Sequence, residues 1–257
     1  MRLTSPNESA NRLRHYGKKC EEHLSRVRLS HVLALRGLRL ETQPHDTLTL
    51  ELVRLSFHDG PDEPSVVKLK RGLHEVHLVA LKADFELYLN RVLTVVWAGH
   101  FPSIVKKYLS KGYFSKREQA ALRSLTSPEL FIERVVPNYG LDALLETLKN
   151  TTEITLPNDL KDYEPSEWGQ VQVAFQVRHL IEHLDGKVDD GFRRRVREFW
   201  KESSWGKTHH ELDTLVKVTV NEIDVACTYN AMRQAAHSLT DALILWDSKQ
   251  ILAHKQF

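Results

Sequence analysis

Arg178-His179-Leu180-Ile181-Glu182-His183 sets an arginine, two imidazoles and a carboxylate within six consecutive positions. That is the equipment needed to break an RNA phosphodiester without a metal. RNA carries its own nucleophile, the 2′-hydroxyl. A cleaving site must take that proton, stabilise the charge that builds on phosphorus and protonate the departing 5′-oxygen. Histidine titrates near neutrality and serves as base or acid. Arginine stays charged and offers phosphate oxygens a planar fork of donors. One arginine and one histidine cannot fill all three roles, but two copies meeting across a dimer axis would.

The positions must be read on a helix. At about 100° per residue, Val173, Ala174, Val177, Leu180, Ile181 and Leu184 form one apolar face, and Arg178, His179, Glu182 and His183 lie opposite. Trp168, Val171 and Phe175 also fall on that opposite side and are expected to be exposed unless something covers them. A second copy of the chain is an economical cover, because a two-fold interface reuses one patch. Gly186 is expected to stop this helix, and Asp189 or Asp190 to cap the next.

Blander readings compete. Arg178 and Glu182 can form an i,i+4 ion pair on a solvated face. His179 and His183 could bind zinc with Asp185 or a distant histidine, but no HExxH or second ligand pair accompanies them. A further Arg-x4-His, Arg26 to His31, is of the kind expected by chance. Arg193, Arg194, Arg197 and Lys187 are candidate contacts to RNA phosphates, in a run that also contains Arg195; such a run otherwise reads as a solvated face. Trp200 and Trp205 could stack bases, although core packing suits Trp200 better.

The chain of 257 residues is 41% apolar, long enough for one large domain or a domain with an appendage. A net charge of +2 neither demands nor excludes nucleic acid. Cys20 and Cys227 are too few for a disulfide framework, which fits a reducing, cytoplasmic setting. No apolar run suits a membrane span, and Met1 to Ser9 lacks signal-peptide character. Residues 1–71 read as a small mixed appendage. It comprises a helix from Asn7 to about Arg28, a bulged strand over Thr47–Phe57 and a returning strand over Val66–Lys70, with helix an option for Ser30–Leu40. Residues 72–257 read as helices, beginning with the stripe Leu78, Leu81, Phe85, Tyr88, Leu89, Val92 and Val96. Asn221 opens a last long helix to about Trp246. The expected class is all-α.

The stretch FQVRHLIEHLDGKVDDGF resembles the signature helix of the HEPN superfamily, named for nucleotide binding in higher eukaryotes and prokaryotes. That motif is an arginine, a polar residue, three or more further residues and a histidine. In several branches a His-x-x-Gly-x-(Val/Ile)-Asp continuation follows, matched here by His183 to Asp189. The segment LVALKADFELYLNRVL is similar to the superfamily's first helix, and the resemblance covers about residues 72–247. It implies a HEPN-like helical bundle that dimerises through the motif helix and a metal-independent endoribonuclease with no cofactor. Its setting would be defence, toxin action or RNA processing, with an antitoxin or regulatory protein as a possible partner. By position, Arg178 and His183 would be the catalytic pair and His179 the accessory polar residue. Glu86, or Asp84 nearly as well, would be the acidic residue that some members hold near the pair. The superfamily also contains inactive members, so the runner-up is a silent helical dimer that binds RNA or a partner protein.

Overall fold

The computed structural model describes residues 6–41, 63–110, 116, 120, 121, 124, 130, 141–160, 163–209 and 211–254. These residues are predominantly helical, and no strand occurs among them. Helix α1 spans Pro6–Glu41, α2 Glu63–Ser110, α3 Leu141–Thr152 and α4 Pro165–Leu184. Then come α5 (Asp190–Val196), a 3₁₀ turn at Trp200–Glu202, α6 (Ser204–His209) and α7 (Glu222–His254). No described helix is long and apolar enough to cross a membrane.

The N-terminal segment differs from its expected mixed character. Residues 30–41 continue α1 as helix. The strand expected over Val66–Lys70 is instead part of the opening turns of α2. The β-branched Val66 and Val67 favour strand locally, but nothing after Pro64 breaks the helical stripe that leads to Leu78. Pro64 itself sits in a first turn, where its missing N–H costs nothing. An Arg71–Glu75 pair at 2.7 Å adds i,i+4 support. The strand expected over Thr47–Phe57 lies outside the described residues.

The chain divides into two compact units. One comprises Met1–Glu21, Asp84–Pro165 and Arg233–Phe257; the other comprises Glu22–Ala83 and Ser166–Met232. In the first unit the predicted stripe of α2 is fully used, since Phe85, Tyr88, Leu89, Val92 and Val96 are all buried. The buried Tyr88 hydroxyl donates to the Ala236 carbonyl at 2.8 Å and pairs with Thr240 at the same distance. Trp97 Nε1 donates to Thr151 Oγ1 at 3.0 Å, tying α2 to α3. At Gly17 a Cβ would come within 2.5 Å of Thr240 Oγ1, so α1 and α7 approach as only a glycine allows.

The second unit is organised around α4. Gln170, buried, donates through Nε2 to Ser204 Oγ (3.1 Å) and Thr228 Oγ1 (3.0 Å), and its Oε1 accepts from Ser204 N at 2.8 Å. Ser204 Oγ in turn donates to Asp224 Oδ1 at 2.5 Å. The other Asp224 oxygen accepts from Asn221 N at 3.0 Å, while Asn221 Oδ1 accepts from Ile223 N and Asp224 N. This is a reciprocal capping arrangement at the start of α7. The buried side-chain polar atoms of Gln170, Ser204 and Asp224 all have partners in this cluster, which is what makes their burial tolerable. Trp200 and Trp205 are 2% and 0% exposed, so both are core residues and neither is open to stacking on a base.

Candidate active site

Helix α4 is largely buried from Trp168 to Val177 and opens to solvent over its last turns. Trp168, Val171 and Phe175 are 3%, 0% and 6% exposed within a single chain. The expectation that they are exposed without a partner copy is therefore overturned: they are buried within one chain. Lys82 reaches over the Phe175 ring at 5.7 Å. Val173, Ala174, Val177 and Leu180 are buried as the apolar face predicted, whereas Leu184 is exposed. From Arg178 onward the helix emerges into solvent and brings the motif with it.

The polar residues are mutually engaged. Arg178 Nη2 forms an ion pair with Glu182 Oε2, both side chains being 25% exposed. Arg178 Nε is buried and has no hydrogen-bond partner among the described residues. His183 is 58% exposed, with Nε2 3.9 Å from the same Glu182 oxygen. The rings of His179 and His183 lie with centroids 4.8 Å apart. Desolvation, then the proximity of His183, Arg195 and Arg178, lowers the His179 pKa below the ordinary imidazole value; Asp189 opposes this. The shift favours the neutral form of His179, which offers a lone pair.

The turn that follows is closely fixed. Gly186 N donates to Leu180 O and Lys187 N to Leu184 O, each at 2.9 Å. Asp185 and Gly186 both adopt left-handed backbone, with φ of 51° and 74°. This helix-ending geometry is the one the glycine foretold. Two backbone bonds then pin the turn to residues 216–218: Val188 N to Val216 O (3.0 Å) and Val218 N to Gly186 O (2.9 Å). They flank an isolated antiparallel bridge between Lys187 and Lys217. Lys217 also donates to Asp185 Oδ2 at 2.8 Å, and that bond holds the Asp185 carboxyl below its usual pKa. Asp189 caps α5 by accepting from Phe192 N at 2.6 Å.

The basic run divides by environment. Arg193 donates to the Leu215 carbonyl at 3.0 Å and pairs with Asp190 at 2.8 Å, so it braces the fold. Arg197 pairs with Asp213 at 2.8 Å in the open. Arg194 and Lys187 are exposed. Arg195, read from the sequence as part of a run that could track RNA phosphates, makes a contact that the sequence did not signal. Its Nε donates to Gln176 Oε1 at 2.6 Å, which ties α5 to α4 and sets a positive charge beside His179. No spacing rule within one helix signals a contact between two. Glu86 lies on α2 in the first unit, half-buried, with Asp84 in the same unit. Among the described residues no group of three His, Cys, Asp or Glu side chains is placed to hold a metal, and Asp185 is engaged by Lys217.

No protein-family model, no curated protein and no solved structure matches the chain.

Proposed function

We propose that the protein is a metal-independent endoribonuclease of HEPN type, with Arg178 and His183 at the centre of a site completed by a second copy. The observation that carries the reading is the emergence of α4 at Arg178. A helix otherwise buried exposes two imidazoles beside a guanidinium, and the resemblance assigns the catalytic motif to those same positions. In the reaction a histidine takes the 2′-hydroxyl proton as O2′ bonds to phosphorus. The P–O5′ bond then breaks, and a protonated histidine delivers a proton to the departing oxygen. A 2′,3′-cyclic phosphate and a 5′-hydroxyl result. His183 from each copy fills the two proton roles, Arg178 stabilises the phosphorane oxygens, and neutral His179 orients the ribose. Arg194, whose Nε donates to Asp190 O at 3.4 Å, and Lys187 are both exposed and would meet RNA phosphates.

The test is incubation of the full chain with structured and unstructured RNA in EDTA, with particle mass measured in parallel. Cleavage that falls by about 10²-fold or more in His183→Ala and in Arg178→Ala supports the reading. Chelator-resistant activity that both variants retain would refute it, as would activity abolished by EDTA.

The Arg178–Glu182 ion pair favours one other reading, a catalytically silent helical module that binds RNA or a partner protein. Salt-sensitive RNA binding without any cleavage product distinguishes it.

A further inference from the structure

Around α4 and α5, Arg178, Arg193 and Arg197 are each matched to a carboxylate: Glu182, Asp190 and Asp213 respectively. Arg195 makes no ion pair among the described residues. Its Nε donates to the Gln176 amide oxygen at 2.6 Å, so a neutral group on α4 fixes the guanidinium and leaves its charge uncompensated. Ordering an exposed arginine costs side-chain entropy, and here no opposite charge offsets it. The terminal nitrogens lie over Gly191, where a Cβ would be 3.3 Å from Nη1 and 3.6 Å from Nη2. Asp189 Oδ1 borders the same space, but it accepts from Phe192 N as the cap of α5.

Arg178 gives a second, independent sign that an anion fits this surface. Its Nε is buried with no hydrogen-bond partner among the described residues, although Nη2 is paired with Glu182. A desolvated donor on a charged group is costly, and further negative charge brought near it lowers that cost. Both arginines belong with His179: after burial and His183, Arg195 and Arg178 are the next groups that lower its pKa. Arginine suits phosphate in particular. With Nε occupied by Gln176, the two terminal nitrogens of Arg195 remain to bridge two phosphate oxygens.

We propose that Arg195 joins Arg178 in clamping a backbone phosphate of RNA beside His179, and that Gln176 positions Arg195 to do so. That the anion is an RNA phosphate rests on the nuclease reading. The clamp itself is built from one chain, within the second unit, and needs no second copy.

Fluorescence anisotropy of the full chain with a 2′-O-methyl RNA oligonucleotide, which keeps the phosphates and lacks the nucleophile, tests it beside cleavage of the matching RNA. Arg195→Ala should weaken binding about tenfold. Arg195→Lys keeps the charge but loses the fork, and should recover only part of that loss. Gln176→Leu should weaken binding about threefold with Arg195 in place. Arg195 is exposed, so its variants keep the fold, and thermal melts check this. Three results would overturn the clamp: no binding by the unaltered chain at low salt, unchanged affinity in Arg195→Ala, or full recovery in Arg195→Lys. The second marks a mere brace between helices, and the third a general attraction to positive charge. The two readings fail separately. Binding in the expected order with no RNA cleaved sinks the nuclease and leaves the clamp; cleavage whose KM is indifferent to Arg195→Ala does the reverse.

Discussion

His179 and His183 stand one turn apart at the end of α4, with ring centroids separated by 4.8 Å and planes inclined at 55°. Two positive imidazoles at that separation repel, and it is His179 whose proton affinity is depressed. A histidine with a lowered pKa stabilises the fold above its unfolded value, and that stabilisation is lost as pH falls toward the folded value.

That relationship sets the first prediction. Followed by NMR, the His179 ring should titrate with a midpoint below 6.5. Substituting His183→Gln or Arg195→Ala should raise it, because each removes a positive neighbour. A midpoint that neither variant moves would show that solvent exclusion alone controls the ring.

Basic residues near the motif should separate by role. Arg194→Glu and Lys187→Glu, both on exposed side chains, should weaken RNA binding and flatten its salt dependence by about one counterion each, with unchanged melting temperature. Arg193→Ala should instead lower the melting temperature, since it removes the donor to the Leu215 carbonyl and a pairing with Asp190. Filter binding at several salt concentrations beside thermal melts makes the comparison.

Gly186→Ala should destabilise the protein by at least about 1–2 kcal/mol. The residue has φ of 74°, and a Cβ there would lie 2.7 Å from the Val218 carbonyl oxygen. Gly72→Ala is the control: nothing lies within 4 Å, and an alanine suits its helix. Chemical denaturation should show loss for the first and none for the second.

A further cluster predicts sensitivity to acid. His31 is fully buried, with Nε2 2.8 Å from His74 Nδ1 and Nδ1 2.8 Å from Arg28 Nη1. His77 lies against it, its ring 4.8 Å from that of His31. Burial, then His77, His74 and Arg28, pushes the His31 pKa down to about 4. His74 is lowered as well, chiefly by burial, with Glu222 working in the opposite direction. Stability should therefore be complete above about pH 6.5 and decline as pH falls toward 4, by on the order of 2 kcal/mol from His31. In His31→Gln the dependence over this window should flatten, as read by urea midpoints at several pH values.

Much of the site was legible in the chain because its signals are local. Gly186 as a stop, Asp189 as a cap and Asn221 as the opening of α7 each depend on a few neighbouring atoms. The stripe from Leu78 to Val96 was equally plain, because burial follows helical period. What escaped notice depends on distant packing. Trp168, Val171 and Phe175 lie off the strongest apolar face, and period alone cannot say that α4 is enclosed on more than one side. Val66 and Val67 favour strand by type, and the helix that absorbs them is decided by the long segment that follows. Arg193 and Arg195 look alike in a run of charges, yet one holds the carbonyl of Leu215 and the other reaches Gln176.

The two backbone bonds from Gly186 and Val188 to residues 216–218 make the polar end of α4 answerable to a piece of chain some thirty positions downstream. A bound protein, a proteolytic nick or an inserted loop that displaced that later segment would bear on the turn after the imidazoles through those two bonds. A ligand that never touches Arg178 or His183 would thus have a mechanical handle on both.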